Sequence, residues 1–312
     1  MQAEDGRRRF SNSELQTFKD CRRKWWLTYY RKLALKIKEV LGPRPIGTGV
    51  HHALATHYGN LGDPLQALGE LHDEWRGHLS ADGKDLKKFL SQSQLQRIMV
   101  EGYLQWLEET GADADLEVVD AETYLEASIE IPGWGTVLII GKIDLRVRKR
   151  SDGSYWVLDH KSVPNFAAKM FMLRSDEQML HYHLLEILQE TGVRTGGAIY
   201  NMMRKVKRSA TAKPPFYERV DIRHNQHQMS SYLTRLTATI NDILTVEARL
   251  DAGEPHQAVV YPRPNNDCGW KCDFSAVCPL LDDGSRAEEM LQMVYTSTDP
   301  LARYHELDKA EE

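Results

Sequence analysis

The placement of four cysteines constrains this chain more than any other feature. Cys21 lies near the N-terminus, and Cys268, Cys272 and Cys278 fall within eleven residues, with 246 residues intervening. A site that gathers all four must clip the two ends together around everything between. Closing so long a loop stabilises a fold through the entropy it removes from the unfolded chain. Residues 1–10 are charged and lack the apolar core of a signal peptide, and no apolar run approaches the ~18–20 residues that span a bilayer. The expectation is a cytoplasmic chain, in which clustered cysteines indicate ligation rather than disulfides. Four thiolates suit tetrahedral zinc or an iron–sulfur cluster. Structural zinc usually takes its ligands as two close pairs. The split of one plus three, with Trp25, Trp26, Trp270 and Phe274 available to shield a larger group, favours a 4Fe–4S cluster over zinc or unligated thiols. A structural role is the simpler expectation for it.

The 312 residues, 41% hydrophobic and 27% charged, suffice for one large or two small domains with a real core. Ser11, Asn12, Ser13 and Glu14 read as a capping box that starts a helix through residue 30 or beyond. Helical spacing recurs over residues 47–58, 64–79 and 84–109. The texture then changes to β-branched and aromatic residues over 116–131, 136–148 and 154–160, separated by Pro132-Gly133 and Asp152-Gly153. These predict an antiparallel meander. A helix over 175–190, strands over 197–203 and 216–222, and a long helix over 227–250 complete the pattern. The expected class is α/β or α+β with a helical N-terminal lobe.

Two strands of the meander end in acids. Val137 to Ile140 are continuously apolar and lead to Gly141-Lys142-Ile143-Asp144; Val157-Leu158-Asp159-His160-Lys161 closes the next strand. Apolar strands that terminate in carboxylates place charge where only a partner makes it tolerable, and a divalent cation is such a partner. Side chains alternate along a strand, so Lys161 shares a face with Asp159. It is placed to orient or deprotonate a water, or to stabilise charge on a phosphorane. Alone, this pattern is weak evidence and more often marks an exposed cross-strand ion pair.

The net charge is −5, but its distribution matters more than its sum. Residues 282–312 hold nine acids against three bases, leaving the remainder near +1. Residues 19–38 hold eight bases against Asp20 alone. Residues 204–213 hold Arg204, Lys205, Lys207, Arg208 and Lys213 and no acid. Both stretches are candidate phosphate-facing patches, and the second reads as a mobile, DNA-clamping loop. The aromatic run Trp25-Trp26-Leu27-Thr28-Tyr29-Tyr30 is either a base-stacking platform or core packing around a cofactor.

Taken in order, these signals resemble the RecB-like branch of the PD-(D/E)XK nucleases that carry an iron–sulfur cluster, similar to CRISPR-associated and phage iron–sulfur exonucleases. Ser13 to Trp25 matches a helix of the form Ser…Cys-x-x-Lys-aromatic. Gly47 to His51 matches Gly-x-x-x-His, Gly141 to Asp144 matches Gly-x-x-Asp, Asp159 to Lys161 matches Asp-x-Lys, and Gln178 to Tyr182 matches Gln-x-x-x-Tyr. The cysteine triplet closes the set. The resemblance implies a restriction-endonuclease-like core with a central mixed sheet over residues 1–281, followed by an acidic tail over 282–312. It implies that His51, Asp144, Asp159 and the His160 carbonyl hold Mg²⁺ or Mn²⁺ and that Lys161 is catalytic. Gln178 and Tyr182 would contact DNA or brace the lysine. Cys21, Cys268, Cys272 and Cys278 would ligate the 4Fe–4S cluster. Three residues separate Cys268 from Cys272 where the family usually has two, and His52 competes with His51. Gln178 also fits a capping box begun by Ser175, Tyr182 also fits plain core, and His181 and His183 read as core or surface histidines.

The implied activity is metal-dependent hydrolysis of single-stranded DNA or DNA ends, in recombination, repair, phage DNA metabolism or CRISPR adaptation. A standalone nuclease of this kind would work beside a helicase, a recombinase or adaptation partners. A non-catalytic DNA-binding factor that keeps the fold and cluster is the alternative of another class, and a zinc-stapled structural protein is a third.

Overall fold

Capping decides where the first helix begins, and a cysteine decides where it stops. The computed structural model describes residues 6–79, 83–189 and 195–304. Strand β1 (Arg9–Ser11) leads into α1 (Asn12–Asp20), where the Ser11 hydroxyl accepts the Glu14 amide at 3.3 Å. The helix expected to run through residue 30 is interrupted. Cys21 is extended (φ −163°), and the chain resumes as α2 (Arg22–Trp25) and a π-turn over Trp26–Tyr30. The break leaves both backbone groups of Cys21 paired, its N–H with Thr17 and its carbonyl with the Trp25 amide. The Glu14 carboxylate takes the Trp25 indole N–H at 3.0 Å and pairs with Arg8.

Strand β2 (Leu33–Leu35) precedes three helices, α3 (Pro43–Tyr58), α4 (Pro64–Arg76) and α5 (Lys84–Thr110). The meander follows as β3 (Leu116–Ile131), β4 (Gly135–Lys149) and β5 (Tyr155–Val163). Next come α6 (Phe166–Met170), a 3-10 turn (Leu173–Ser175), α7 (Glu177–Leu188), β6 (Thr195–Arg204), β7 (Tyr217–Ile222) and α8 (Gln226–Asp251). The chain closes with α9 (His256–Val259), the cysteine segment, α10 (Ala287–Val294) and β8 (Tyr295–Ser297). Strand pairing runs β1–β4–β5–β6–β7, with β3 also on β4. β1 with β4 and β5 with β6 are parallel, while β4 with β5 and β6 with β7 are antiparallel, so the sheet is mixed. No helix among the described residues is long and apolar enough to cross a membrane.

The described residues form two units, one within 6–37, 126–141 and 227–304, the other within 38–79, 83–125, 142–189 and 195–226. In the first, α8 buries Met229, Tyr232, Leu236, Ile240, Ile243 and Val246 at helical spacing, and β2 pairs antiparallel with β8. Here the two oppositely charged ends meet. Arg23, 1% exposed, pairs with Asp282; both Arg31 nitrogens bond Glu288 at 2.8 Å; and Lys36 donates to the Gln292 carbonyl. The basic stretch over 19–38, read from sequence as phosphate-facing, thus engages several of its charges with the C-terminal segment. Opposite charges far apart in sequence attract once folding brings them close, and sequence alone does not show the pairing.

In the second unit, α3 and α5 pack their apolar stripes on the sheet, burying Val50, Leu54, Met99, Tyr103 and Met203. On β5, Trp156 and Leu158 pack with Ile199 and Val147. Two glycines permit the close passage of β6. A Cβ on Gly196 would lie 2.1 Å from the Trp156 ring. Gly197 has φ +142°, and its Cβ would lie 2.2 Å from the Ile222 carbonyl. Only glycine meets both demands.

Candidate active site

The β4–β5 ladder runs from Arg148↔Tyr155 to Leu145↔Leu158, and the next pair in that register is Asp144 with Asp159. Instead of another ladder bond, the His160 amide donates to Asp144 Oδ2 at 2.7 Å. The two strands therefore part at two carboxylates. Asp159 is 2% exposed and Asp144 is half-buried, with 15% of its side chain accessible.

His51 reaches this point from α3, its Nδ1 standing 3.3 Å from Asp144. Packing seats α3 closely. Gly49 faces the Gln96 side chain of α5, which donates to the Pro45 carbonyl at 2.9 Å; a Cβ on Gly49 would lie 2.1 Å from that amide nitrogen. Gly47 lies against Ser162 of β5. His52, one residue on, is exposed.

Lys161 and Asp159 share a face, as strand alternation requires, with Nζ 2.6 Å from Oδ2. From α7, Gln178 closes the arrangement. Its Oε1 accepts from Lys161 Nζ at 2.7 Å, and its Nε2 donates to Asp159 Oδ1 at 3.1 Å and to Tyr182 Oη at 3.0 Å. The acceptor end of the amide faces a cation and the donor end a carboxylate, so the amide has one sensible orientation. The cap of α7 is Asp176, not Ser175, and it accepts the Gln178 amide at 3.0 Å. The Gln178 side chain is thus engaged at Lys161, and the capping-box reading gives way. Tyr182 is 7% exposed and contributes its hydroxyl.

Electrostatics separate the two carboxylates. Burial raises Asp144, but His51 and the His160 amide outweigh it and hold this carboxyl well below its usual range. Burial and the charge of Asp144 push Asp159 up, to about 6, against the pull of Lys161. Burial disfavours the His51 imidazolium, yet Asp144 lifts it to about 9. Lys161 loses solvation too, and Asp159 and Asp144 more than restore its charge. Two buried anions each lean on one cation, the situation in which a further cation is stabilising. The donor set, two carboxylates and an imidazole, suits a hard divalent ion. Among the described residues, however, no three His, Cys, Asp or Glu side chains stand close enough together to hold one ion.

Beneath His160 lies a polar network that sequence reading did not identify. Asn201 meets His160 Nδ1 at 2.7 Å and donates to Tyr103 Oη at 2.8 Å. Tyr103 also contacts Tyr58 Oη at 2.6 Å and accepts from Arg219 at 2.9 Å, and Arg219 pairs with Asp113 at 2.7 Å. Tyr58 stacks on the His160 ring at 5.5 Å. Burial holds His160 neutral, down to about 3. These residues come from α3, α5, β6, β7 and the α5–β3 connection, and no spacing in the sequence links them.

Of the basic loop, Arg204 donates to the Lys213 and Pro215 carbonyls, and Arg208 donates to Tyr217 Oη while lying 3.6 Å over the Phe216 ring. Lys207 donates to Ser91 Oγ, and burial lowers Lys205. The loop read as mobile is thus stitched by its own cations. They organise its backbone, which short-range sequence could not reveal.

In the first unit all four cysteines line one cavity of about 430 Å³, with Arg23, Lys24 and Phe274 in its wall. Burial raises the Cys272 and Cys278 thiols, and the other cysteines add to this. The cradle is therefore thiol-rich, and its wall also carries Arg23, Lys24 and Arg263, with Asp282 as the ion-pair partner of Arg23. Of the aromatics expected to shield it, only Phe274 lines the cavity; Trp25 and Trp26 are core, and Trp270 is 64% exposed.

No curated protein matches the chain at a significant level. Among solved structures, the crystal structure of SSO0001 is similar at 14% identity over 75% of this chain and 84% of that one; its TM-score of 0.33 is too low to bear on fold or chemistry. The model of the PD-(D/E)XK nuclease superfamily matches residues 9–279, a stretch that takes in His51, the Asp144/Asp159 pair and Lys161. The chain belongs to the PD-(D/E)XK nuclease superfamily.

Proposed function

We propose that this protein is a metal-dependent deoxyribonuclease of the RecB-like branch, acting on single-stranded DNA or DNA ends. The observation that carries the reading is the clamp of Asp159 and Gln178 around Lys161, with Tyr182 on the Gln178 amide, beside Asp144 and His51. A structural ion pair has no need of an amide oriented to both members. His51, Asp144, Asp159 and the His160 carbonyl would hold Mg²⁺ or Mn²⁺. A bound ion of this kind supplies Lewis acidity at the phosphate and a more acidic water. Lys161 keeps its proton in this environment, which suits it to stabilise charge on the phosphorane and orient the water rather than to act as a base. Gln178 holds the ammonium in place, and Asp159 balances it.

The four cysteines support a 4Fe–4S cluster better than zinc. They line one cavity of about 430 Å³, split one and three along the chain as the sequence expectation required. Its role would be to join the N- and C-terminal segments of the nuclease domain, residues 1–281.

The test is hydrolysis of end-labelled single- and double-stranded DNA in Mg²⁺ or Mn²⁺, with wild type and Lys161→Ala. We expect metal-dependent cleavage that falls by about 10²- to 10⁴-fold in the variant. Binding without cleavage in every metal would replace this reading with a non-catalytic one.

A further inference from the structure

Between Lys161 and Gln178 the chain projects an apolar tip. Met170, Phe171 and Met172 are 40%, 91% and 58% exposed, and Phe171 is the most exposed large hydrophobic side chain among the described residues. Exposing an aromatic ring to this degree forgoes the stabilisation its burial would bring.

The exposure is not slack in the chain. Asn165 caps α6 by accepting the Ala168 amide at 3.0 Å, and Phe166 and Leu173 are buried on either side of the tip. Lys169 pairs with Asp176, the cap of α7, and Ser175 Oγ donates to the Met172 carbonyl at 3.2 Å. Tyr200 donates to the Leu173 carbonyl at 3.4 Å, and Tyr200 is the β6 partner of Asp159 in the parallel register. The tip is thus anchored to Asp176, the cap of the helix that carries Gln178, and to Tyr200 on β6, the strand paired with the one that carries Asp159 and Lys161. Folding holds the three apolar side chains outward, on the segment that joins the strand of Lys161 to the helix of Gln178.

We infer that Met170, Phe171 and Met172 form a stacking tip for an unpaired nucleobase of the strand held at Lys161; this rests on the nuclease reading above. The occupant follows from chemistry. An unpaired nucleic-acid strand offers an anionic backbone and flat, stackable base faces. Phe171 matches the second, and the exposed Arg174 at the base of the tip matches the first. Methionine adapts to any base, and stacking tolerates sequence because every base has a π-face. The tip would grip frayed or single-stranded ends and leave internal paired bases alone.

The experiment compares the full chain with Phe171→Ala and Phe171→Trp. Binding of single-stranded DNA containing 2-aminopurine is followed in chelator by anisotropy and fluorescence, and cleavage in Mn²⁺ by gel. The tip predicts a loss of about tenfold or more for Phe171→Ala, an unchanged salt slope because phosphate contacts persist, and recovery in Phe171→Trp. If wild type cuts DNA while Phe171→Ala binds and cuts equally well, the tip is overturned and the nuclease reading stands. If wild type neither binds nor cuts DNA, both fall. A change of sedimentation in Phe171→Ala with DNA affinity intact would assign the tip to self-association and overturn the proposal.

Discussion

Lys161 has its ammonium in contact with Asp159 and Gln178 at once, and that pairing determines what it can do. A buried lysine alone would tend to lose its proton; this one keeps it because two carboxylates face it. Under the proposed function, Gln178 is the positioning residue, through its bonds to both groups. We expect Gln178→Ala to lower kcat by roughly 10- to 100-fold, by analogy with lost outer-shell support, with little change in KM. A steady-state split between the two, with an unchanged melting temperature, checks this. A proportionate rise in KM would instead assign Gln178 to substrate binding. The sequence announced Asp159 and Lys161 by their alternation on a strand, and the resemblance offered Gln178 as a brace or a DNA contact. That its amide bonds both groups at once needed α7 folded against β5.

At the level of elements, helix seating decides whether His51 reaches Asp144. Gly49 is where α3 meets the buried Gln96 side chain. Gly49→Ala must displace an amide already bonded to Pro45, so overpacking should exceed the gain in helix propensity. We expect a destabilisation of about 1–3 kcal/mol, measured by urea denaturation. A stabilised variant would show that Gln96 moves freely. Most elements were legible because their signals are local: period-2 strands, turn dipeptides and the Ser11 cap. The break at Cys21 was not, since α1 and α2 carry one continuous helical pattern across it. The basic runs were legible as charge but not as partners. Arg23 and Arg31 find Asp282 and Glu288 more than 250 residues away, a separation that no local pattern encodes.

For the whole molecule, stability should depend on pH and on the cysteine cavity. Burial, helped by His224 at 3.3 Å, lowers His183 to about 4 from the ordinary histidine value near 6.5. The unfolded chain then takes up the proton first. Stability from this group is intact above about pH 6.5 and is lost as pH falls toward 4, by roughly 3 kcal/mol at most. Urea midpoints at pH 7, 5.5 and 4.5 should fall more steeply for wild type than for His183→Asn, and equal slopes would exclude His183. If the four thiols hold a cluster, Cys21→Ser should purify without visible absorbance and melt at a lower temperature. A coloured Cys21→Ser protein with wild-type stability would remove Cys21 from the ligand set.

The sequence by itself determined which residues are chemically fit to act: carboxylates ending apolar strands, a lysine in phase with one of them, and thiols at both ends of the chain. Those choices are written in residue type and short spacing, which survive without a fold. Only the tertiary structure decided how they are held. The Gln178 clamp, the network beneath His160, the internal partners of Arg204 and Arg208 and the exposed Phe171 arise from packing between distant segments. Hydrogen bonding and burial depend on what lies across space, and sequence neighbours do not report it.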